Sequence, residues 1–363
     1  MPDNENLRIT HGPWLQNMTS TGVTIMWTTN RAAVPGIILL EKGSTQRLVR
    51  NSTSGIINAG GVVHKVRLEG LKPGTTYSYK LNSVQILKYQ AYRIYYGDTL
   101  NTATLNFTTY PESPENVRFL VINDVHENSG KLSSYLKNTT LPGNSLVFFN
   151  GDMVDFLQDP GQLFAGFIDT ARRYFASSVP FYYVRGNHET RGYRAREIAD
   201  YFDNPGKSYY YSFDIGKTHF IVLDCGEDKP DNNRYYYGLA DYDTYRKEEL
   251  DWLRADVAGS SFRNAEKRIV IVHFPILKQD NQGYGMKFLA DNFGPVLQKA
   301  GINLMISAHT HRNSYYDRDQ SGFGYPLLVN SNNSFVEVSS GRSEIRCIVK
   351  DLTGKVINEY SIK

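Results

Sequence analysis

The feature that most restricts how this chain can fold is a series of short apolar runs, each ending on a cluster of carboxylate, carboxamide or imidazole side chains. Val117-Arg118-Phe119-Leu120-Val121-Ile122 leads to Asp124-Val125-His126, and Ser145-Leu146-Val147-Phe148-Phe149 leads to Gly151-Asp152-Met153-Val154-Asp155. Phe181-Tyr182-Tyr183-Val184 leads to Gly186-Asn187-His188-Glu189, Ile269-Val270-Ile271-Val272 to His273, and Ile302-Asn303-Leu304-Met305-Ile306 to Ala308-His309-Thr310-His311. Runs this short and apolar read as strands buried on both faces. Between them, Leu163, Phe164, Phe167, Ile168, Ala171, Tyr174 and Phe175 recur at helical spacing. A second helix covers about Asp243 to Val257, and a third runs from about Met286 to Gly301, a helix-ending glycine. A hairpin pattern surrounds Gly216-Lys217, and residues 343–362 read as two strands turned at Asp351-Leu352-Thr353-Gly354. Strands alternating with helices predict an α/β domain of layered β-sheets flanked by helices. In open α/β sheets ligands collect beyond the carboxyl ends of the strands, so the clusters converge on one rim.

The first part of the chain has a different rhythm. From about Ile9 to Thr109 it consists of short alternating strands, such as Val23-Thr24-Ile25-Met26-Trp27 and His64-Lys65-Val66-Arg67-Leu68. Leu71-Lys72-Pro73-Gly74-Thr75-Thr76-Tyr77 resembles a tyrosine corner, and a fibronectin type III-like β-sandwich of roughly 100 residues fits. Two prolines in Tyr110-Pro111-Glu112-Ser113-Pro114-Glu115-Asn116 stop the pattern. The 363 residues therefore divide into an all-β sandwich at 1–112 and the α/β domain at 113–363.

A net charge of +3 gives no signal for nucleic-acid or membrane-surface binding, and the sequence carries none for an oligomeric state. Two cysteines, Cys225 and Cys347, make no disulfide framework and are expected as buried thiols. No apolar run approaches the ~20 residues of a membrane-spanning helix. The start, Met1-Pro2-Asp3-Asn4-Glu5-Asn6, has neither the basic nor the apolar region of a signal peptide. The 26 tyrosines are expected as strand and interface packing.

The residue types at the rim specify what it binds. Asp124, His126, Asp152, Asn187, His273, His309 and His311 mix carboxylate, carboxamide and imidazole without thiolate, which suits Zn, Fe, Mn or Co. Structural zinc, normally held by four cysteine-rich ligands, does not fit this set; two divalent ions do if one carboxylate bridges. His11, His64 and His219 lie outside the clusters and are expected as hydrogen-bonded structural residues.

Asp-x-His, Gly-Asp-x-x-Asp, Gly-Asn-His-Glu, a lone His and a near-match to Gly-His-x-His, in this order, resemble the calcineurin-like metallophosphoesterases over about 117–340. The N-terminal module, with Gly12-Pro13-Trp14-Leu15-Gln16 and the Trp27 strand, is similar to the β-sandwich that precedes the catalytic domain of purple acid phosphatases. The resemblance implies that Asp124, His126 and His311 hold one ion, that Asn187, His273 and His309 hold the other, and that Asp152 bridges them. It implies that His188 faces the leaving group as general acid, with Asp155 and Glu189 as acceptors that orient ligands or the catalytic imidazole. The expected activity is hydrolysis of phosphate esters by a hydroxide shared between two divalent ions, Mn, Fe or Zn. A small phosphate ester or nucleotide is the expected substrate.

Two departures modify the expectation. Asp155 stands where purple acid phosphatases carry their iron-bound tyrosine, and His126 is a ligand they lack, so a colourless centre is expected. Ala308 replaces the usual glycine before the first histidine of the last motif. Arg191, Arg194 and Arg196 either clamp a terminal phosphate or line a polar loop, and Trp14 and Leu15 are candidates for the contact between domains. The alternative to an enzyme is a catalytically inactive scaffold of the same fold. Proteins of this two-domain build are commonly exported, so a periplasmic, cell-surface or secreted location is expected.

Overall fold

The computed structural model describes residues 6–40 and 46–363. The N-terminal β domain is organised by one long strand, Val23–Leu40. Its first half pairs with Gly61–Leu68 and its second half with Thr76–Gln90, the partner changing between Thr28 and Ala33. That switch lets a single antiparallel sheet wrap around a shared core containing Trp27, Val66, Tyr79 and Leu81. The Trp27 indole donates to Ser83 Oγ at 3.0 Å, which satisfies its only polar atom in a fully buried site. The Tyr77 hydroxyl accepts from the Lys72 amide at 2.8 Å, the bond that defines a tyrosine corner.

Two six-stranded sheets form the α/β domain. The first contains the parallel strands Asn116–Ile122, Leu146–Asn150 and Phe181–Val184, extended on the other side by the antiparallel strands Ser334–Gly341, Ile345–Asp351 and Val356–Ile362. The second has Thr218–Leu223, Lys267–Val272, Leu304–Ser307 and Leu327–Val329 parallel, with antiparallel Tyr211–Ile215 and Ser314–Tyr316 at its edges. Alternate side chains explain the layering. Phe119, Val121, Phe148, Phe220, Ile269 and Ile271 point between the sheets. Leu120, Ile122, Val147 and Phe149 point out of the first sheet into its helices, as Val270, Val272 and Met305 do from the second. Both faces of the central parallel strands are covered, so these are mostly apolar, whereas the outer strands Ile345–Asp351 and Val356–Ile362 alternate.

Helices Tyr242–Val257 and Tyr284–Ala300 cover the second sheet, the latter closed by Gly301 at φ 70°, ψ 54°. The helical segment 161–176 is less regular than its spacing predicts. Short α-helical pieces alternate with π-helical turns at Phe164–Ile168 and Arg172–Ala176. The wider winding keeps Phe164, Phe167, Ile168, Ala171 and Phe175 all on the buried side.

This segment also carries the contact with the β domain. Trp14 is fully buried and meets Phe164 edge-on with centroids 5.9 Å apart. His11 stacks on Phe164 at 3.9 Å and faces Asp169 through Nδ1 at 2.9 Å. Tyr79 donates to the Ser177 carbonyl and Tyr182 to the Met18 carbonyl. Trp14 thus sits in the core of the α/β domain, while Leu15 belongs to the cluster that includes the β-domain interior.

The histidines outside the rim have structural partners. His64 is buried against Thr29 Oγ1 at 2.7 Å. His219 bridges Asp214 (Nδ1 to Oδ1, 2.6 Å) and Asp256 (Nε2 to Oδ2, 3.1 Å), tying a hairpin to the helix Tyr242–Val257. Burial alone would push this imidazole down, but hydrogen bonds to both carboxylates outweigh it and lift it from 6.5 to about 9. A raised histidine contributes its stability in full below the unfolded value of 6.5 and loses it as pH rises through about 9. His219→Gln is therefore expected to cost on the order of 2 kcal/mol at about pH 6 and little at about pH 10. Denaturant titrations of both proteins across that range check this, and a gap that does not narrow with pH overturns it.

Cys225 and Cys347 are buried, unpaired thiols. Among the described residues, no helix is long and apolar enough to cross a membrane.

Candidate metal centre

The parallel strands end on one side of the two sheets, and the turns that follow them are bonded to each other. The amides of Asp124, His126 and Glu127 donate to the carbonyls of Gly151, Asp152 and Met153 at 2.9–3.0 Å. The Ala308 amide donates to the His273 carbonyl at 2.9 Å, so the alanine is accommodated without loss of backbone pairing. These turns are sharp. Asp124, His126, Asp152, His309 and His311 all have left-handed backbones, with φ between 49° and 68°. Such conformations cost non-glycine residues roughly 1–3 kcal/mol each and cluster where function requires them. Gly151, at φ 80°, lies against the His273 ring, and Gly186 against Asp152; a Cβ at either would collide with the site.

Eight of the ten sequence-predicted residues fall into three groups, within each of which the candidate ligand atoms lie within 4.8 Å of one another; Asn187, a carboxamide, and Glu189 stand outside them. Asp124, His126 and His311 form the first, with His311 Nε2 3.0 Å and His126 Nε2 3.9 Å from Asp124 Oδ1. Asp152, His273 and His309 form the second, with His273 Nε2 3.1 Å from Asp152 Oδ2. His126, Asp155 and His188 form the third, at the exposed margin. Asp152 links the groups: its Oδ1 accepts from the His188 amide at 3.1 Å, and its Oδ2 lies 4.0 Å from His188 Nε2.

The supporting residues set which ring nitrogen faces inward. His273 Nδ1 donates to the Asn150 carbonyl at 2.8 Å and His188 Nδ1 to the Asp155 carbonyl at 2.9 Å, leaving both Nε2 atoms toward the site. His126 Nδ1 is 2.7 Å from Asp155 Oδ1. Asp155 therefore orients one imidazole with its side chain and another with its backbone. Glu189 does something different from orienting an imidazole. Its buried carboxylate accepts from the amides of Asp152, Met153 and Gly186 at 2.6–2.9 Å, locking the turn that carries Asp152.

A cation fits this donor set. His273 Nε2 lies 3.1 Å from Asp152 Oδ2, while His126 Nε2 and Asn187 Oδ1 are buried without a hydrogen-bond partner. Buried polar atoms are rarely left so. Charge balance agrees. Burial opposes ionisation of Asp152, yet the charge and hydrogen bond of His273, then His188, hold its carboxyl well below the usual range. Burial would lower His273, but Asp152 and Asp124 raise it to about 10. The proton on His273 stands where a cation's charge would sit, and metal entry would displace it. Burial and the charge of His273 push His309 down to about 4, so its imidazole is neutral.

Several residues at the site were not singled out from the sequence. Asn123 donates to Asp124 Oδ2 at 2.7 Å and is held in turn by Asn330. Lys131 Nζ donates to the Asp124 carbonyl at 2.7 Å. Glu227, fully buried, binds Arg191. A signal for Glu227 existed: the run Phe220-Ile221-Val222-Leu223 is also followed at once by carboxylates, Asp224 and Glu227. Of the three arginines considered, Arg191 reaches the site, while Arg194 pairs with Glu197 and Arg196 is exposed.

Paired sheets flanked by helices, with a rim of aspartate, asparagine and histidine, define a metal-binding α/β hydrolase class with a β domain in front. The family model for calcineurin-like phosphoesterases matches residues 117–313, and that for the purple acid phosphatase N-terminal domain matches 12–109. The chain belongs to the calcineurin-like phosphoesterases. It is 25% identical over 147 residues to the human serine/threonine-protein phosphatase CPPED1, covering 38% of this chain and 43% of that protein. It is 24% identical over 309 residues to purple acid phosphatase 15 of Arabidopsis thaliana, covering 75% and 52%. The chain thus spans about half the length of the curated relatives it matches. A solved structure of PhoD superposes over 98% of this chain and 94% of its own, with a TM-score of 0.65 at 12% identity, a likeness of fold.

Proposed function

We propose that this protein hydrolyses phosphate esters at a centre of two divalent ions, Mn, Fe or Zn. The observation that carries the reading is the gathering of Asp124, His126 and His311 into one possible ligand group and of Asp152, His273 and His309 into another. Asp124, His126 and His311 would hold one ion, Asn187, His273 and His309 the other, and Asp152 would be shared. Bound there, two cations neutralise phosphoryl charge and make a water nucleophilic near neutral pH.

The chain's own groups do the rest. Glu189 locks the turn that carries Asp152 and Asn123 holds the Asp124 carboxylate, so little reorganisation accompanies charge development. His188, anchored through Nδ1 on the Asp155 carbonyl, presents Nε2 as the atom that hands a proton to the departing alkoxide. Relatives named as phosphatases favour a phosphatase over a phosphodiesterase. Export enters the reading only through the likeness of this two-domain build to exported proteins.

Elemental analysis of the purified protein, with turnover of p-nitrophenyl phosphate and bis-p-nitrophenyl phosphate, tests it. About two ions per chain and hydrolysis of at least one ester are expected. Bound metal without turnover of either ester, with Mn, Zn and Fe each supplied, would favour the scaffold reading. A strong visible band from the iron-loaded protein would contradict the absence of a tyrosine ligand at position 155.

A further inference from the structure

Beside the metal centre stands a cation outside the proposed ligand set, in contact with His188. Arg191 follows the Gly186–Glu189 turn, and its guanidinium is gripped by Glu227, with Nε to Oε1 at 2.8 Å and Nη2 to Oε2 at 3.0 Å. Glu227 is 1% exposed and is itself caged by the Thr190 hydroxyl at 2.8 Å and the Tyr236 hydroxyl at 3.1 Å. The Asp228 amide adds a further bond to Glu227 at 3.2 Å. So many donors on one carboxylate fix the plane of the guanidinium and leave one edge, Nη1, turned away from it. That edge is 3.3 Å from His188 Nε2, which is in turn 4.0 Å from Asp152 Oδ2. The arginine side chain is 35% exposed, so the guanidinium is partly open to solvent rather than sealed in the core.

We propose that Arg191 contacts the substrate, its Nη1 meeting a non-bridging phosphoryl oxygen, and that it selects phosphate monoesters over diesters, with Glu227 as the positioning residue. The inference rests on the phosphoesterase reading above. Its chemistry is simple. A monoester dianion presents three non-bridging oxygens, whereas a diester presents two and one charge fewer. A fixed donor outside the metal ligands rewards the third oxygen and the second charge. A guanidinium suits this because its forked geometry can stay bonded to Glu227 while Nη1 serves a second anion. Arg194, paired with Glu197, and the exposed Arg196 have no such placement.

The test is equilibrium binding, by calorimetry on the metal-loaded protein, of two inert probes. Methylphosphonate carries three oxygens and two charges, and dimethylphosphinate two oxygens and one charge. Arg191→Ala would strand a buried carboxylate and endanger folding, so the variants are Arg191→Lys and the double change Arg191→Gln with Glu227→Gln. Metal content and melting temperature accompany each. Methylphosphonate affinity is expected to fall about tenfold to a hundredfold in the double variant, the effect of one charge-assisted hydrogen bond, with dimethylphosphinate little changed. Glu227→Gln alone should weaken methylphosphonate less and raise KM for p-nitrophenyl phosphate more than it lowers kcat. Equal losses for both probes, or no loss for either, would overturn the role of Arg191 while leaving the phosphoesterase reading intact. A wild-type protein that carries its metals yet binds neither probe nor turns over either ester would remove both.

Discussion

Asp152→Asn is expected to release metal and turnover together, with kcat/KM falling by ~10³-fold or more, since each 1.36 kcal/mol of lost transition-state stabilisation is a decade. The residue is 2% exposed, with its carboxylate 3.1 Å from His273 Nε2 and 4.0 Å from His188 Nε2. Losing one negative charge leaves cations facing each other with less to hold them, and removes the group that raises His273. Asparagine is the informative choice. Asp152 has a φ of 53°, a conformation that Asn and Asp tolerate and most residues resist by roughly 1–2 kcal/mol. Alanine would mix that backbone cost with the loss of charge. Elemental analysis after dialysis is the deciding measurement. A variant that retains about two ions per chain would refute the shared role of this carboxylate.

His188→Ala is expected to behave in the opposite way on the first count, retaining its metals while kcat falls by ~10²–10⁴-fold. Its contact with Asp152 runs through the backbone amide, which the substitution preserves. Its ring sits at the margin, edge-on to His126 with centroids 4.9 Å apart. The identity of the leaving group separates proton donation from mere positioning. An alkyl phosphate, whose alkoxide needs the proton, should lose far more rate than p-nitrophenyl phosphate, whose phenolate barely does. Equal losses on the two esters would take the proton-donor role from His188.

The expected ligands were legible because strand ends and ligand types coincide. Each apolar run reads as a strand, its last residues fall at the rim, and a histidine or aspartate there has few other reasons to be. The helix over 161–176 was legible as a buried face but not as π-wound, since π turns preserve the apolar side while changing the pitch. The strand Val23–Leu40 was read only over its first residues; that it continues and changes partner is set by two different neighbours far along the chain. Asn123 and Lys131 were missed for another reason. Their work is done through hydrogen bonds to nearby carbonyls and side chains, which leave no periodic trace. Glu189 was recognised, yet the partners it takes are backbone amides, whose direction depends on a turn that no residue type encodes.

The left-handed turns at the rim bear on how lineages of this protein would drift. At positions 124, 126, 152, 309 and 311 the main chain by itself favours aspartate, asparagine, histidine or glycine. A descendant freed from selection for chemistry would therefore keep ligand-like residues there for the sake of its shape. Asn187, with an ordinary φ of −76°, and His273, whose φ is likewise not positive, enjoy no such protection. Erosion of the proposed centre would show first at those two positions, where the backbone imposes no such preference.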